Sequence, residues 1–310
     1  MKICLIDAGI FIDKPELLDP LRALGEVEVF TGIPDGIEEV VKRAGDADVI
    51  AFGLMQFTKE MLDALPNLKV VQFIGTGVWN FIDVDYAEGK GIKILNIDGY
   101  GSNAVAEYAT AMAMALAKKI PSADRVLKEN RWSIDGLMGK EIKGSIVGVV
   151  GTGSIGRLAA EKFALLGADV IACDIFESDY LKEKYNIRYK SMQEVFMESD
   201  IVTLHMKVTK ENERIIDKKL FSLMKKDALL INVARSELVN TEDLYKALAS
   251  GNLGGAAIDV YDSEPPSAKD YQLGQLQNVI ATPHIAYYTQ EANDNSIKMA
   301  VSSILASLQG

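Results

Sequence analysis

Four polar side chains stand just after apolar runs in the second half of this sequence, where a chain leaving a strand would present them to a ligand. Arg235 follows Leu229-Leu230-Ile231-Asn232-Val233-Ala234, and Asp259 closes Ala256-Ala257-Ile258. Glu264 comes five residues later in Asp262-Ser263-Glu264-Pro265-Pro266, and His284 follows Val279-Ile280-Ala281-Thr282-Pro283. The only two histidines, His205 and His284, both lie at such strand ends. Singly, each has an ordinary explanation: a surface cation, the start of a proline turn, a hydrogen-bonded structural imidazole. Together they form a working set for interconverting an alcohol and a ketone. An imidazole takes the hydroxyl proton as a hydride leaves. A carboxylate beside it fixes the tautomer and stabilises the imidazolium. A guanidinium binds a substrate carboxylate with two hydrogen bonds.

A second constellation lies upstream. The apolar run Ile146-Val147-Gly148-Val149-Val150 delivers the chain into Gly151-Thr152-Gly153-Ser154-Ile155-Gly156, and helical spacing follows through Phe163. The first glycine makes a tight turn, the second lets backbone approach a pyrophosphate, and the third lets helix and strand pack closely. The helix N-terminus offers free N–H groups and partial positive charge to the anion. A further apolar run, Val170-Ile171-Ala172-Cys173, ends on Asp174, 18 positions beyond Gly156. An acid there takes the hydroxyls of an adenosine ribose and repels a 2′-phosphate. Ile175 and Phe176 supply no cation to offset that repulsion, so NAD is expected over NADP.

The elements that must position these groups alternate strand and helix from end to end, which predicts parallel sheets with crossover helices. Strands are expected at Lys2–Asp7, Glu26–Phe30, Asp48–Phe52, Lys69–Phe73 and Ile92–Asn96. Ala8-Gly9-Ile10-Phe11 after the first strand is not a phosphate-type turn, so this half serves something other than the dinucleotide. Asn103 is expected to cap a helix over Ala104 to Ile120 that Pro121 ends. Six more strands follow, near 146–150, 169–173, 200–204, 228–232, 255–260 and 278–281, enough for a doubly wound dinucleotide domain. A final helix from Tyr288 to Leu308 is surplus to that domain and is expected to return to the first half.

Composition narrows the function classes. The chain has 310 residues, 48% of them hydrophobic and 25% charged, as in an ordinary globular protein with room for two cores. A formal net charge of −11 with no basic stripe argues against a nucleic-acid partner. It also means that an anionic substrate must be drawn in by a local positive site. Cys4 and Cys173 form neither a disulfide framework nor a metal-ligand spacing, so no metal is expected and a reducing compartment is. The segment before Asp7 is too short for a signal peptide, and the longest apolar helical stretch, Ala109 to Ala117, is half of what spans a bilayer. A cytoplasmic protein with no membrane partner is expected.

On these motifs the sequence resembles the D-isomer-specific 2-hydroxyacid dehydrogenase family over nearly its whole length. The resemblance is carried by Gly151–Gly156 with Asp174, by Asn232-Val233-Ala234-Arg235, by Asp259-Val260 with Glu264-Pro265, and by Thr282-Pro283-His284. Gly75-Thr76-Gly77-Val78 and Ala106-Glu107 add to it from the first half and the linker helix. The resemblance implies an α/β protein with a doubly wound (Rossmann) NAD-binding domain, residues 103–285. A second, flavodoxin-like α/β substrate domain would comprise 1–102 and 286–310. It implies His284 as acid/base, Glu264 as its partner and Arg235 as the anchor for the substrate's carboxylate and carbonyl oxygen. Backbone N–H groups of Gly75, Thr76 and Gly77 would hold the other side of that carboxylate. Gly151, Gly153, Ser154, Ile155, Gly156 and Asp174 would line the pyrophosphate and adenosine, and Met206, Val233, Arg235 and Asp259 the nicotinamide end. Family members are commonly homodimers through the dinucleotide domain, with Arg131-Trp132 to Lys143 in the contributing region.

Three departures bear on substrate more than on reaction class. The usual Leu-His-x-Pro-Leu-Thr is Leu204-His205-Met206-Lys207-Val208-Thr209, and loss of the proline is expected to loosen that loop. The usual Arg-Gly-Gly is Arg235-Ser236-Glu237, and Trp79 stands where Asp is often found. The first-half loops Phe52 to Phe57 and Gln72 to Trp79 contain no Lys or Arg. A buried phosphate without a cation costs several kcal/mol. A small unphosphorylated D-2-hydroxy or 2-keto acid, as for a glyoxylate or hydroxypyruvate reductase, is therefore expected. The alternatives are a phosphoglycerate dehydrogenase and an NADH-binding sensor of the corepressor type, the latter disfavoured by the lack of an extended or basic tail.

Overall fold

The computed structural model describes residues 1–309, and the chain divides into two compact units, Met1–Gly101 with Tyr288–Gly310, and Ser102–Tyr287. In the first unit, five strands, β1 (Lys2–Leu5), β2 (Glu26–Val29), β3 (Val49–Phe52), β4 (Val70–Phe73) and β5 (Lys93–Leu95), form a parallel sheet in the order β2-β1-β3-β4-β5. This is the flavodoxin-like order, with its switch point between β1 and β3. β3 and β4 are buried along their whole length, as strands covered on both faces are; β3 is wholly apolar, and β4 carries one buried polar residue, Gln72, whose Nε2 donates to the Phe73 carbonyl at 2.8 Å. The Phe52 ring meets that of Phe57 edge-to-face and that of Phe73 at a tilt, each with centroids 5.0 Å apart. The last helix, Gln290–Gln309, packs on β4 and on the turn Pro15–Leu18, burying Ile297, Val301 and Ile304.

The second unit holds a seven-stranded parallel sheet: β6 (Ile146–Val150), β7 (Asp169–Cys173), β8 (Arg188–Tyr189), β9 (Ile201–Leu204), β10 (Leu229–Asn232), β11 (Gly255–Ile258) and β12 (Val279–Ala281). The order is β12-β11-β10-β9-β6-β7-β8, doubly wound about a switch point between β6 and β9. The expectation of six strands fell one short. β8 is a two-residue edge strand with the unremarkable composition Arg-Tyr, too short to leave a periodic signal. The long helix runs Ser102–Ala117, so Asn103 lies inside it and does not cap it. Pro121 does not end a helix. It sits in the first turn of a second one, Ile120–Lys128, where its missing N–H costs nothing. The alanine-rich Ser102–Ala117 packs on the helix Ser154–Leu165, placing Ala109, Ala113, Ala160 and Phe163 in one core cluster.

Candidate active site

The glycine turn after β6 is shaped for an anion. Gly151 has φ +89, and a Cβ there would lie 2.6 Å from the Met206 nitrogen, so the turn passes directly against the chain leaving β9. At Gly156 a Cβ would come 1.8 Å from the Gly151 carbonyl oxygen, so no side chain fits between turn and helix. Around Gly153 the space is open to 4 Å, and it precedes the helix Ser154–Leu165 with no side chain capping that helix. Gly153 and Ser154 are exposed, while Ile155 packs against the core. The turn therefore leaves bare N–H groups and the positive helix end open to an anion such as a pyrophosphate.

Asp174, at the end of β7, accepts from the Thr152 nitrogen and from Thr152 Oγ1 at 3.1 Å, and from the Phe176 nitrogen at 3.1 Å. Burial alone would raise this carboxyl, but the Thr152 and Phe176 donors outweigh it and hold the group below its ordinary value. Tyr189 on β8 donates to Thr152 Oγ1 at 2.9 Å and accepts from the Ser178 nitrogen at 3.0 Å, bracing the turn from the side. Asp174 thus holds the glycine turn. Its residual acceptor capacity and its charge fit an unphosphorylated adenosine ribose.

The proton-handling pair sits in the loops after β11 and β12. Glu264 receives His284 Nδ1 at 2.8 Å on Oε2 and 2.9 Å on Oε1, and accepts weakly from the Tyr261 nitrogen at 3.4 Å. Burial pushes the Glu264 carboxyl up, while the His284 hydrogen bond and the positive charges of His284 and Arg235 bring it below its ordinary value. It is therefore a carboxylate at neutral pH, which makes Nδ1 the donor and leaves Nε2 to exchange a proton. Among the described residues nothing bonds His284 Nε2. His284 takes a left-handed backbone with φ 53, a conformation costly outside glycine that the surrounding loop must enforce.

Asp259 is the enforcer. Fully buried at the end of β11, it accepts from Thr282 Oγ1 at 2.6 Å, the Ile285 nitrogen at 3.0 Å and the Ala286 nitrogen at 2.8 Å. Tyr261 adds a bond from its hydroxyl to the Thr282 carbonyl at 2.7 Å. Asn232 does similar service for Arg235: its Nδ2 donates to the Arg235 carbonyl at 3.0 Å and its Oδ1 accepts from the Ala234 nitrogen at 3.1 Å. Arg235 is half-buried, bonds the Ala234 carbonyl through Nη1 at 2.7 Å, and has no carboxylate partner among the described residues. Val233 is buried in the core, so its side chain packs and only its backbone is left for a ligand. Nothing in the sequence patterning pointed to Asn232, Tyr261, Thr282 or Tyr189 as supports, because their partners are set by the folded loops.

His205 is not a second acid/base. Its Nε2 lies 2.9 Å from Thr203 Oγ1, its Nδ1 is buried without a partner, and burial pushes the imidazole down to about 3. Met206 packs partly against the core and lies with its backbone against Gly151. The loop that follows, which lacks the proline, carries a side-chain brace. Asn212 spans it, donating to the Lys207 carbonyl at 2.7 Å and accepting from the Thr209 nitrogen at 2.7 Å. In the first unit, Gly77 adopts φ +95 and Thr76 Oγ1 turns inward to the Ile97 carbonyl at 3.2 Å and Asp98 at 3.3 Å. The hydroxyl of Thr76 is thus structural, and the carbonyls of Gly75 and Gly77 are taken by the Ile97 and Asn80 nitrogens.

A profile of the family described as D-isomer specific 2-hydroxyacid dehydrogenase, NAD binding domain, matches residues 110–286. The chain belongs to the D-isomer specific 2-hydroxyacid dehydrogenase family. It is 37% identical over 282 residues to D-3-phosphoglycerate dehydrogenase of Archaeoglobus fulgidus, an alignment covering 90% of this chain and 53% of that one. It is 32% identical over 322 residues to hydroxypyruvate reductase of Blautia hydrogenotrophica, covering 100% of this chain and 98% of that one. The chain thus spans about half the length of the phosphoglycerate dehydrogenase and nearly all of the reductase. D-lactate dehydrogenase of Aquifex aeolicus, solved with NAD and lactic acid, superposes with a TM-score of 0.83 at 29% identity, covering 100% of this chain and 96% of that one. The family is one of NAD-dependent enzymes, and the matched NAD-binding domain includes the glycine turn and Asp174. Among the described residues no helix is long and apolar enough to cross a membrane.

Proposed function

We propose that this protein catalyses reversible hydride transfer between NAD(H) and a small, unphosphorylated D-2-hydroxy or 2-keto acid. The observation that carries this reading is the His284–Glu264 pair with the unpaired Arg235, on the loops after β10, β11 and β12 of the sheet that bears the NAD turn. NAD(H), when bound, takes or supplies the hydride. The residues do the rest. Glu264 fixes Nδ1–H, so that His284 Nε2 accepts the alcohol proton in oxidation and returns it to the carbonyl oxygen in reduction. Arg235 offers its remaining N–H groups to the carboxylate and carbonyl oxygen. Within the first unit, the backbone of Gly75, Thr76 and Gly77 is assigned to a substrate carboxylate, and residues 1–102 with 286–310 are read as the substrate domain.

The absence of Lys and Arg from Phe52–Phe57 and Gln72–Trp79 supports an unphosphorylated substrate. Lys59, just beyond the first loop, is engaged by Asp83 at 2.9 Å. NADH oxidation with glyoxylate, hydroxypyruvate, a small alkyl pyruvate and phosphohydroxypyruvate tests the reading. The expected result is turnover with the first three and a lower kcat/KM for the phosphorylated acid. A higher kcat/KM for the latter would overturn the substrate class, and tight NADH binding with no turnover would favour a sensor.

A homodimer through the second unit belongs to the same proposal. The helix Ile120–Lys128 buries no residue, and Leu127, Trp132, Ile134 and Met138 are exposed, Trp132 to 93%. So many exposed large apolar groups in one segment mark a surface that is covered in solution. Sedimentation of wild type and Trp132→Glu checks it. Both cysteines are unpaired, in keeping with the cytoplasm.

A further inference from the structure

Arg214, in the loop after β9, has a left-handed backbone with φ 53, the same costly conformation that His284 adopts. Its Nη1 donates to the Val239 carbonyl and, at 3.4 Å each, to the Ser236 carbonyl and Thr241 Oγ1. Its Nη2 lies 3.0 Å from Asp262 Oδ1. Thr241 Oγ1 donates to Asp262 Oδ2 at 2.9 Å, so both oxygens of that carboxylate are held. The backbone brings Arg214 to this place. Its nitrogen donates to the Glu237 carbonyl at 2.7 Å, and the Ile216 nitrogen donates to the Leu238 carbonyl at 3.0 Å.

The loops joined by this guanidinium carry the proton-handling and anchoring groups of the second unit. Ser236 directly follows Arg235, and Asp262 stands two residues before Glu264. Asp262, Ser263, Glu264 and Pro265 are all exposed, so packing does not hold their turn. The bonds made inside it are local or long: Ser263 Oγ donates to the Pro265 carbonyl at 3.0 Å, and the Tyr261 nitrogen reaches Glu264 at 3.4 Å. Glu264 nevertheless meets His284 Nδ1 with both oxygens, at 2.8 and 2.9 Å. That geometry needs the turn fixed, and Asp262 is where the turn is tied to its neighbours. A partly exposed ion pair contributes little to stability. What this one contributes is placement.

We infer that Arg214, acting through Asp262, is a positioning residue for Glu264 and so for the proton-transfer pair. This rests on the His284–Glu264 reading above. Arg214 bonds neither Glu264 nor His284 and works through the turn it ties down.

The test uses the full chain and the 2-keto acid that wild type reduces fastest. Arg214→Gly removes the guanidinium and takes the left-handed backbone without strain, so the loop keeps its path. Its kcat is expected to fall about tenfold, short of the ~10²-fold that a full ångström of misplacement costs. KM, and NADH affinity by fluorescence titration, are expected to hold. Arg214→Lys keeps a charge for Asp262 but not the fork that also bonds the Ser236 and Val239 carbonyls, so it should recover part of the loss. Asp262→Asn breaks the same tie from the other side. Combined with Arg214→Gly it should be no slower than Arg214→Gly alone, whereas independent effects would multiply.

The combined variant leaves the net charge unchanged, so its pH profile reports placement. The pH above which reduction fails should move down, because a displaced carboxylate favours the imidazolium less. Amide exchange at Ser263 and Glu264 gives a readout without turnover, expected faster in every variant. Wild-type kcat in folded Arg214→Gly, effects that multiply in the combined variant, an unmoved pH profile, or NADH affinity that falls along with kcat overturns the proposal. Should Arg214→Gly fail to fold, kcat and exchange in Asp262→Asn decide alone. Should wild type reduce no 2-keto acid, the reaction reading falls; the tie itself then stands on faster exchange in the variants and falls on equal exchange.

Discussion

Asp7 in the first unit and Asp259 in the second solve the same problem in the same way. Each is a fully buried carboxylate that follows a parallel strand, and each collects three donors from the segment after the neighbouring strand. What differs is the segment held. Asp259 holds Thr282, Ile285 and Ala286, and so the strained backbone of His284; Asp7 holds Gly53 to Met55, which carry no titratable side chain. A buried charge that is fully hydrogen-bonded locks its loop, and an unsatisfied one costs far more than the bonds contribute. The two carboxylates therefore teach that one packing device can hold a loop with a strained histidine in one unit and a loop without any titratable group in the other.

That contrast can be broken at graded points. The largest effect is expected from His284→Ala, with kcat falling about 10²–10⁴-fold, as for a lost general acid/base, while NADH titration is unmoved. Wild-type turnover in this variant would remove the proton-transfer role from the second unit altogether. Asp259→Asn should come next, lowering kcat about 10²-fold by displacing His284, with KM changed little. A rise in KM instead would mean that Asp259 shapes binding and not the placement of His284, and the contrast would collapse.

Asp174→Ala should weaken NADH about tenfold and narrow the preference over NADPH, since ribose acceptors and turn support are lost while repulsion is removed. Equal wild-type kinetics with both cofactors would defeat this. The smallest effect concerns acid stability, and only the second unit has histidines. His205 is held neutral with its imidazole pushed down to about 3, whereas in the unfolded chain it titrates near 6.5. The unfolded state thus binds up to one more proton between those values, so stability declines as pH drops through 6.5, with a slope that steepens towards about 1.4 kcal/mol per unit. Urea unfolding at pH 7, 6 and 5 should show that slope, and it should flatten in His205→Asn.

The sheets, the NAD turn and the Arg235, Glu264 and His284 set were legible because they rest on local patterns: apolar runs, glycine spacing, and polar residues directly after strands. The supports were not. Asp7 is 46 residues from Gly53, and Asp259 is 23 from Thr282, so their hydrogen bonds exist only once neighbouring strands have paired. Asn212, which steadies the Lys207 loop in place of a proline, left no signal because an Asn in a polar stretch reads as any turn residue. Pro121 misled because proline both precedes and ends helices, and only the left-handed Lys119 ahead of it settles which. β8 was missed because two residues carry no period.

The return of the helix Gln290–Gln309 to β4 has a consequence for biosynthesis. The second unit is continuous in sequence, Ser102–Tyr287, while the first needs residues from both sides of it. A ribosome would therefore release a complete second unit while the earlier-made sheet still lacked the helix that buries Ile297, Val301 and Ile304 against it. The part synthesised first would finish last. Nascent chains arrested with Tyr287 clear of the exit tunnel should show protease protection of the second unit but not of β1–β5, and equal protection of both would refute this order.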